Sequence, residues 1–330
     1  MKCTSRKTVR KIAILMMTCL LLSGCGTDGL AMKYDPESSV SAFRFEKSSS
    51  SAGEGGKASS FASELCLRDE ATLSGGEVDL SEALSGILCD VNQHRIIYGK
   101  EENMQLAPAS LTKVMTALVA LKNSELDTVL TASENVKITE SGATLCGLEA
   151  GDTMTMDQAL HALLMQSAND VAVMIAENIA GSEDAFCEMM NAEAARLGAT
   201  NSCFKNPHGL TEDGHYSCAY DMYLIFAEVM QYPEFTQIIN LDTYETIYHD
   251  AEGNAKEYSC GTTNLFLRGD YTAPDAVTVI GGKTGTTMAA RNCLVLLSKD
   301  SSGNPYISVI LNCSERQFLY QEMTELLGHV

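Results

Sequence analysis

The sequence predicts an α+β fold in which an antiparallel sheet is flanked by helices. Strand-like segments lie near both ends of the presumed folded part: "GILCDV" and "RIIYGK" form a hairpin, and "AVTVIGGKTG", "NCLVLLSK" and "YISVILNC" come late. Helical apolar spacing fills the chain between them. We therefore expect one sheet made by joining the two chain ends, with a mostly helical lobe inserted between them.

The helical segments follow one another in a clear order. "APASLTKVMTALVALK" predicts a helix beginning near Pro108, and "MTMDQALHALLMQSANDVAVMIAENIAG" keeps helical spacing on both sides of a polar "SAND". "SEDAFCEMMNAEAARLGA" ends at Gly198, a typical helix stop. "DMYLIFAEVMQYP" follows, and "ERQFLYQEMTELLG" closes the chain.

The N-terminus predicts export. Residues 1–24 hold a basic start, "MKCTSRKTVRK", and an apolar run too short to span a bilayer comfortably, which indicates a secretion signal. The tetrapeptide "LSGC", ending at Cys25, resembles a bacterial lipobox, whose cysteine is lipidated once the signal is removed. Acyl chains on Cys25 would hold the protein at the outer face of the cytoplasmic membrane. The alternative is an ordinary signal peptide with a chance cysteine.

Residues 25–78 are rich in Ser, Gly and Glu, and such a composition buries too little apolar surface to order itself. We therefore predict a flexible tether there and a folded domain over residues 79–330. The whole chain carries a formal net charge of −20, and losing residues 1–24, with five basic residues and no acidic one, makes it −25. Such a charge excludes nucleic acid as a partner.

Nine cysteines follow Cys25, and they are scattered, odd in number and without a CxxC pair. This pattern argues against a zinc site, so we predict no metal and no cofactor. We expect most of these cysteines to be small buried core residues.

Ser110 and Lys113 would lie on one face of a helix, near its N-terminus. A serine hydroxyl is a poor nucleophile unless a neighbour takes its proton. A lysine one turn away can do so if burial or a second cation lowers its pKa, and the helix dipole favours developing negative charge. A single SxxK match also occurs by chance on solvated helices.

Ser167 and Asn169 lie between two helical runs, where a hydroxyl and an amide can face one cleft. One would relay a proton and the other would hold a substrate amide, although a helix-breaking polar turn explains them equally well.

The third motif, "GGKTGTT", ends an apolar strand. Its glycines allow a ligand backbone to approach the strand edge, while Lys283 with Thr286 or Thr287 suits a carboxylate. A P-loop is excluded, because it would require glycine where Val277 stands.

The three motifs occur in the order SxxK, SxN, KTG, with intervals of 57 and 116 residues between their first residues. This is the signature of penicillin-interacting serine acyltransferases. The segments "PASLTKVMTALVAL", "LLMQSANDVAVMIAENIAG" and "DGHYSCAYDM" extend the likeness, so that roughly residues 80–325 resemble a D-alanyl-D-alanine carboxypeptidase of the low-molecular-mass penicillin-binding proteins. The resemblance implies a β-lactamase/transpeptidase-like fold with its site at the lobe junction.

The resemblance also implies a reaction. Ser110 would attack the carbonyl between the two terminal D-alanines of a peptidoglycan stem peptide, with Lys113 as the base. The acyl-enzyme would then be hydrolysed, and β-lactams would act as covalent inhibitors. The backbone N–H groups of Ser110 and Thr286 would form the oxyanion hole. The implied site comprises catalytic Ser110, Lys113 and Ser167, and substrate-binding Asn169, Lys283, Thr284, Gly285 and Thr286.

Several expectations follow from comparison with this family. Ser167 and Lys283 would shuttle protons or tune Lys113, and His208 and His215 would belong to a structural loop without metal. No C-terminal β domain is expected, so the lipid on Cys25 would replace the C-terminal membrane helix of relatives.

Two rival functions stay open. A class A-like β-lactamase would need a glutamate in an ExxLN-like context, and Glu234, the best candidate, lacks the Leu-Asn at that spacing. The other rival is a non-catalytic lipoprotein that senses muropeptides or β-lactams. Endopeptidase action on cross-linked peptides would use the same residues as the carboxypeptidase reaction.

Overall fold

A five-stranded antiparallel sheet joins the two ends of the described chain. The computed structural model describes residues 66–68, 72–73 and 77–330. The strands of this sheet are β1 (Ser85–Asp90), β2 (Arg95–Lys100), β7 (Thr278–Thr287), β8 (Arg291–Lys299) and β9 (Pro305–Cys313). They lie in the order β2-β1-β9-β8-β7. The N-terminal hairpin therefore pairs with the last strand, which confirms the predicted sheet.

Seven α-helices occur within the described residues. They are α1 (Thr112–Asn123), α2 (Met156–His161), α3 (Asn169–Ala180), α4 (Glu183–Leu197), α5 (Ala219–Val229), α6 (Pro233–Ile239) and α7 (Arg316–Leu327). Helix α4 ends where the sequence predicted, at Gly198, which takes the left-handed conformation typical of a helix C-terminus. The segment 112–120 of α1 is buried all round, as expected of a helix in the centre of a core.

Helices cover both faces of the sheet. Ile87 and Val295 belong to the larger core with helices α1 to α6, whereas Leu88 and Leu296 belong to a second core with α7. Successive strand residues point to opposite faces, so a strand buried on both sides must be apolar at nearly every position. This explains why the late strands read as continuous apolar runs.

The inserted lobe contains a second, four-stranded sheet that the sequence analysis did not predict. Its strands are β3 (Val129–Thr131), β4 (Thr153–Thr155), β5 (Thr243–His249) and β6 (Ala255–Gly261), in that order. Two of them are only three residues long, which is too short for an alternating pattern to be recognised. In β5 most side chains are exposed or half-buried, so apolar content gives little signal there.

The packed part of the chain begins before the predicted boundary at residue 79. Cys66 is buried, the Leu67 N–H donates to the His94 carbonyl, and the Leu73 N–H donates to the Ile97 carbonyl. These short contacts cover the outer edge of β2, which would otherwise leave a row of unpaired backbone groups. The predicted signal and Cys25 lie outside the described residues.

The described cysteines are thiols, and most lie in the core, as predicted: seven of the nine are buried, and Cys146 and Cys203 are half-buried. In the part of the chain that the structure covers, no helix combines the length and apolarity needed to cross a membrane.

Candidate active site

The nucleophile motif begins in a 3₁₀ turn, Ala109–Leu111, that leads directly into α1. Ala109 has a φ of 49°, in the left-handed region that non-glycine residues rarely adopt. One turn further on, Lys113 places its Nζ 3.0 Å from the Ser110 Oγ. The predicted juxtaposition of hydroxyl and amine is therefore present, and it begins in a strained turn of the kind found at functional sites.

Lys113 is fully buried, and its surroundings favour the neutral amine. Burial lowers its pKa well below the ordinary value, and the charge of Lys283 lowers it further, while Asp170 acts in the opposite direction. The Nζ donates to the side-chain carbonyl of Asn169 at 2.7 Å and to the backbone carbonyl of His208. A neutral amine has two hydrogens and one lone pair. With two carbonyl oxygens as acceptors for the hydrogens, the neutral form of Lys113 would have its lone pair left for the Ser110 hydroxyl.

The second motif follows a π-helical turn, Ala162–Gln166, which ends at Ser167 with a φ of 70°. This left-handed residue breaks the helix and places Ser167 on the wall of the same cavity as Ser110. Helix α3 then starts at Asn169, whose Nδ2 donates to the Thr144 carbonyl at 3.0 Å. That bond orients the amide so that its oxygen faces Lys113.

The third motif lies on β7. Lys283 is buried, and burial lowers its pKa to about 7. Its Nζ donates to the Thr284 carbonyl at 2.9 Å, and the Thr284 hydroxyl pairs with that of Thr263 at 2.7 Å. Thr284 and Thr286 both line the cavity, as the predicted contact with a carboxylate requires.

At Gly285, strand β7 lies close against the turn that carries Ser110. A Cβ at this position would lie 3.0 Å from the Ser110 backbone nitrogen and 3.1 Å from the Pro108 carbonyl oxygen. Real Cβ atoms rarely approach that closely, so any larger residue would push strand and turn apart. The glycine of the KTG motif thus allows Ser110 and Thr286 to border one cavity.

Sequence reasoning missed that the loop carrying His208 and His215 packs against helix α1 and binds Lys113. The Thr116 hydroxyl donates to the Pro207 carbonyl at 2.6 Å, beside the His208 carbonyl that binds Lys113. Gly209 has a φ of 84°, and a Cβ there would lie 1.9 Å from the Ala109 carbonyl oxygen. Such contacts use backbone atoms, which every residue type possesses, so only the glycine gave a signal in the sequence.

The two histidines of this loop are neutral. Burial lowers the pKa of His208 to about 3 and that of His215 to about 4, and in both cases the nearby Lys113 contributes. The His215 Nδ1 accepts from the Lys205 N–H at 3.1 Å, so its Nε2 carries the hydrogen and donates to the Thr112 hydroxyl at 2.9 Å. The loop is thereby fastened to the first turn of α1, in agreement with the structural role expected for it.

The motifs meet at a cavity of about 680 Å³. Its lining includes Asp242 and Thr243 of the inserted lobe, and also Arg268 and Arg316. The remaining walls come from the three motifs and their neighbours. They include Ser110, Thr144, Gln166, Ser167, Thr262, Thr263, Thr284, Gly285, Thr286 and Asn292.

The model of one protein family, Peptidase_S11, described as D-alanyl-D-alanine carboxypeptidase, matches residues 75–315. The chain belongs to this family. It is 35% identical over 250 residues to D-alanyl-D-alanine carboxypeptidase DacF of Bacillus subtilis (strain 168), a match that covers 74% of the chain and 61% of DacF. It is also 35% identical over 215 residues to D-alanyl-D-alanine carboxypeptidase DacB2 of Mycobacterium tuberculosis, a match that covers 64% of the chain and 69% of DacB2.

Among solved structures, the DD-transpeptidase of Streptomyces K15 matches with a TM-score of 0.70 and 24% identity, over 76% of this chain and 98% of that one. This likeness shows the fold, which is the predicted β-lactamase/transpeptidase-like one. The chain spans less than two thirds of the length of DacF.

The glutamate that a β-lactamase would need, for which Glu234 was the best candidate, does not lie at this cavity. Glu234 is in the first turn of α6 and is not among the residues that line the cavity. No observation therefore favours the β-lactamase alternative.

Proposed function

We propose that the protein is a serine-type D-Ala-D-Ala carboxypeptidase that removes the terminal D-alanine from peptidoglycan stem pentapeptides. The observation that carries the proposal is the environment of Lys113. Its two hydrogens have carbonyl acceptors and burial lowers its pKa, so its lone pair is left for the Ser110 hydroxyl 3.0 Å away. This is what a general base for a serine nucleophile requires.

In the acylation step, the Ser110 oxygen attacks the carbonyl carbon of the penultimate D-alanine while its proton passes to Lys113. The oxyanion of the tetrahedral intermediate would accept hydrogen bonds from the backbone N–H groups of Ser110 and Thr286. When the C–N bond breaks, the leaving D-alanine nitrogen takes up a proton, for which Ser167 on the cavity wall is a suitable relay. The ester on Ser110 is then hydrolysed by water, with Lys113 again as the base.

Substrate binding would use the part of the cavity formed by the KTG motif on β7. The terminal carboxylate of the peptide would meet the hydroxyls of Thr284 and Thr286, where Gly285 leaves room for it. Lys283 has a pKa of about 7, so near neutral pH it alternates between a cation that attracts the carboxylate and a neutral amine that spares Lys113 a charged neighbour. The Asn169 side-chain amide, whose oxygen accepts a hydrogen bond from Lys113, would position the peptide.

A β-lactam presents a strained amide and a carboxylate to the same groups, so it would acylate Ser110 as well. The substrate class is tested by offering the purified protein a diacyl-Lys-D-Ala-D-Ala peptide and a chromogenic cephalosporin in parallel. A carboxypeptidase releases D-alanine many times per enzyme and turns the cephalosporin over slowly. Rapid cephalosporin hydrolysis without D-alanine would indicate a β-lactamase, and a single acylation event without turnover of either compound would indicate a sensor.

We further propose that the chain is exported and anchored through lipid on Cys25 at the outer face of the cytoplasmic membrane, where peptidoglycan is the available substrate. The support is the signal-like stretch over residues 1–24 and the "LSGC" tetrapeptide. Expression with radiolabelled palmitate tests this proposal. The wild-type protein should be labelled and sediment with membranes, whereas Cys25→Ala should be unlabelled.

A further inference from the structure

Asp170 follows the SxN motif directly, and its carboxylate is 1% exposed. One oxygen accepts the N–H of Cys146 at 2.9 Å. The other accepts the N–H groups of Gly147 at 2.8 Å and Leu148 at 3.1 Å. A carboxylate that receives three backbone N–H groups from one short segment fixes the path of that segment.

The same segment controls the catalytic amide. Thr144, two residues before Cys146, accepts the backbone N–H of Asn169 at 2.9 Å and its side-chain Nδ2 at 3.0 Å. An amide whose nitrogen is held in this way must present its oxygen on the other side, where Lys113 donates to it at 2.7 Å. A chain of contacts therefore runs from Asp170 through the 144–148 segment to the base.

Asp170 also acts on Lys113 through its charge. Lys113 faces Lys283 from β7, Asp170 from α3, and the neutral His208 and His215 from the loop. Asp170 is the group in this set that raises the Lys113 pKa, against burial and Lys283.

The groups that face Asp170 itself stay neutral at ordinary pH. Burial raises the pKa values of Cys146 and Tyr258, and the charge of Asp170 adds to both effects. Lys256, a cation on strand β6, forms its ion pair with Asp152 and not with Asp170, its Nζ lying 2.7 Å from the Asp152 carboxylate. The negative charge of Asp170 is therefore not neutralised by these groups, and it acts on Lys113.

We infer that Asp170 is a positioning residue for the acyl transfer: its carboxylate holds the 144–148 segment so that Asn169 is turned toward Lys113, and its negative charge opposes the positive charge of protonated Lys113. The inference rests on the proposed function, because it assumes that Lys113 serves Ser110 as the base. Asp170 touches neither the nucleophile nor the cavity.

The test is the pH dependence of acylation by a fluorescent penicillin, measured between about pH 5 and about pH 9 with wild type, Asp170→Asn and Asp170→Glu. In Asp170→Asn the acylation rate should fall about tenfold or more, because hydrogen bonds to a buried charge are lost. Its acid limb should move to lower pH, because Lys113 loses the charge that raised its pKa. Asp170→Glu keeps the charge, so it should lower the rate without moving the acid limb.

The matched control is Asp221→Asn. Asp221 is also 1% exposed and also accepts a backbone N–H, that of Asn201 at 2.7 Å, but it has no hydrogen bond to the SxN motif. This variant should keep the wild-type pH profile.

A purely structural Asp170 predicts a lower melting temperature with an unmoved acid limb, and that result would overturn the inference. An acid limb displaced in Asp170→Glu would overturn it also, and this holds even if Asp170→Asn does not fold. Because the assay needs only penicillin, it still reports on Asp170 when the wild-type protein is acylated but releases no D-alanine, which is the failure of the proposed function.

Discussion

Replacing Lys283 by methionine should abolish acylation and at the same time stabilise the fold at low pH. Lys283 is 1% exposed, and the hydrogen bond of its Nζ is a single one to the Thr284 carbonyl. Methionine has a similar length and is apolar, so it fits the same space without a charge. The expected gain in the free energy of unfolding equals the free-energy cost of burying the Lys283 cation in the fold.

The magnitude follows from the pKa shift. Burial lowers the pKa of Lys283 from 10.5 in the unfolded chain to about 7 in the fold, which corresponds to about 5 kcal/mol. Below about pH 7 both states bind the proton, and the full penalty falls on the folded wild type. Between about pH 7 and pH 10.5 the unfolded state binds more protons than the folded state, so wild-type stability rises with pH relative to the variant. Loss of the bond to the Thr284 carbonyl subtracts about 1 kcal/mol from the gain.

Urea unfolding followed by far-ultraviolet circular dichroism provides the assay, since the chain has no tryptophan for fluorescence. Lys283→Met should exceed wild type by about 4 kcal/mol at pH 6, and the difference should shrink by about 1.4 kcal/mol for each pH unit above about 7. Lys299→Met, at an exposed lysine on the adjacent strand, is the control and should show no such trend. A difference that does not change with pH, or a wild type that is the more stable protein at pH 6, would refute the reasoning.

Three further variants test the close contacts around the nucleophile. Gly285→Ala should lower the rate of penicillin acylation at least about tenfold while the protein still folds, because the added methyl displaces β7 from Ser110; an unchanged rate would contradict the close approach. Gly209→Ala should lower the free energy of unfolding in urea by about 3 kcal/mol, because it adds both left-handed backbone strain and a clash with the Ala109 carbonyl. An unfolding midpoint equal to that of wild type would contradict this close contact. His215→Gln should reduce the acid sensitivity of the fold. The folded pKa of His215 is about 4 against 6.5 unfolded, so wild type should lose about 3 kcal/mol as the pH falls between these values, and a variant with the same loss would show that this histidine is not the cause.

The candidate catalytic side chains could be located from the sequence because each belongs to a short local pattern. Ser110 and Lys113 are one helical turn apart, and Lys283 to Thr286 lie on one strand, so their spacing already fixes their relative positions. The late strands were equally clear, because strands buried on both faces are apolar throughout.

The remaining parts of the site depend on contacts between distant segments or on backbone atoms. The His208 carbonyl binds Lys113 and the Thr144 carbonyl binds Asn169, yet every residue type has a carbonyl, so the sequence gives no sign of either contact. The second sheet was missed because strands β3 and β4 have three residues each. The early packing of Cys66 was missed because a few apolar residues stand in a segment dominated by Ser and Gly.

The release of D-alanine from a diacyl-Lys-D-Ala-D-Ala peptide, compared between the full wild-type chain and Ser110→Ala, tests the central claim most directly. Ser110 is only half-buried, and removal of its hydroxyl leaves the Lys113 bonds to Asn169 and His208 in place, so the variant should fold normally. The account predicts continuous release by wild type and none above background by the variant. Release that persists in Ser110→Ala, or no release from folded wild type that fluorescent penicillin still labels, would contradict it.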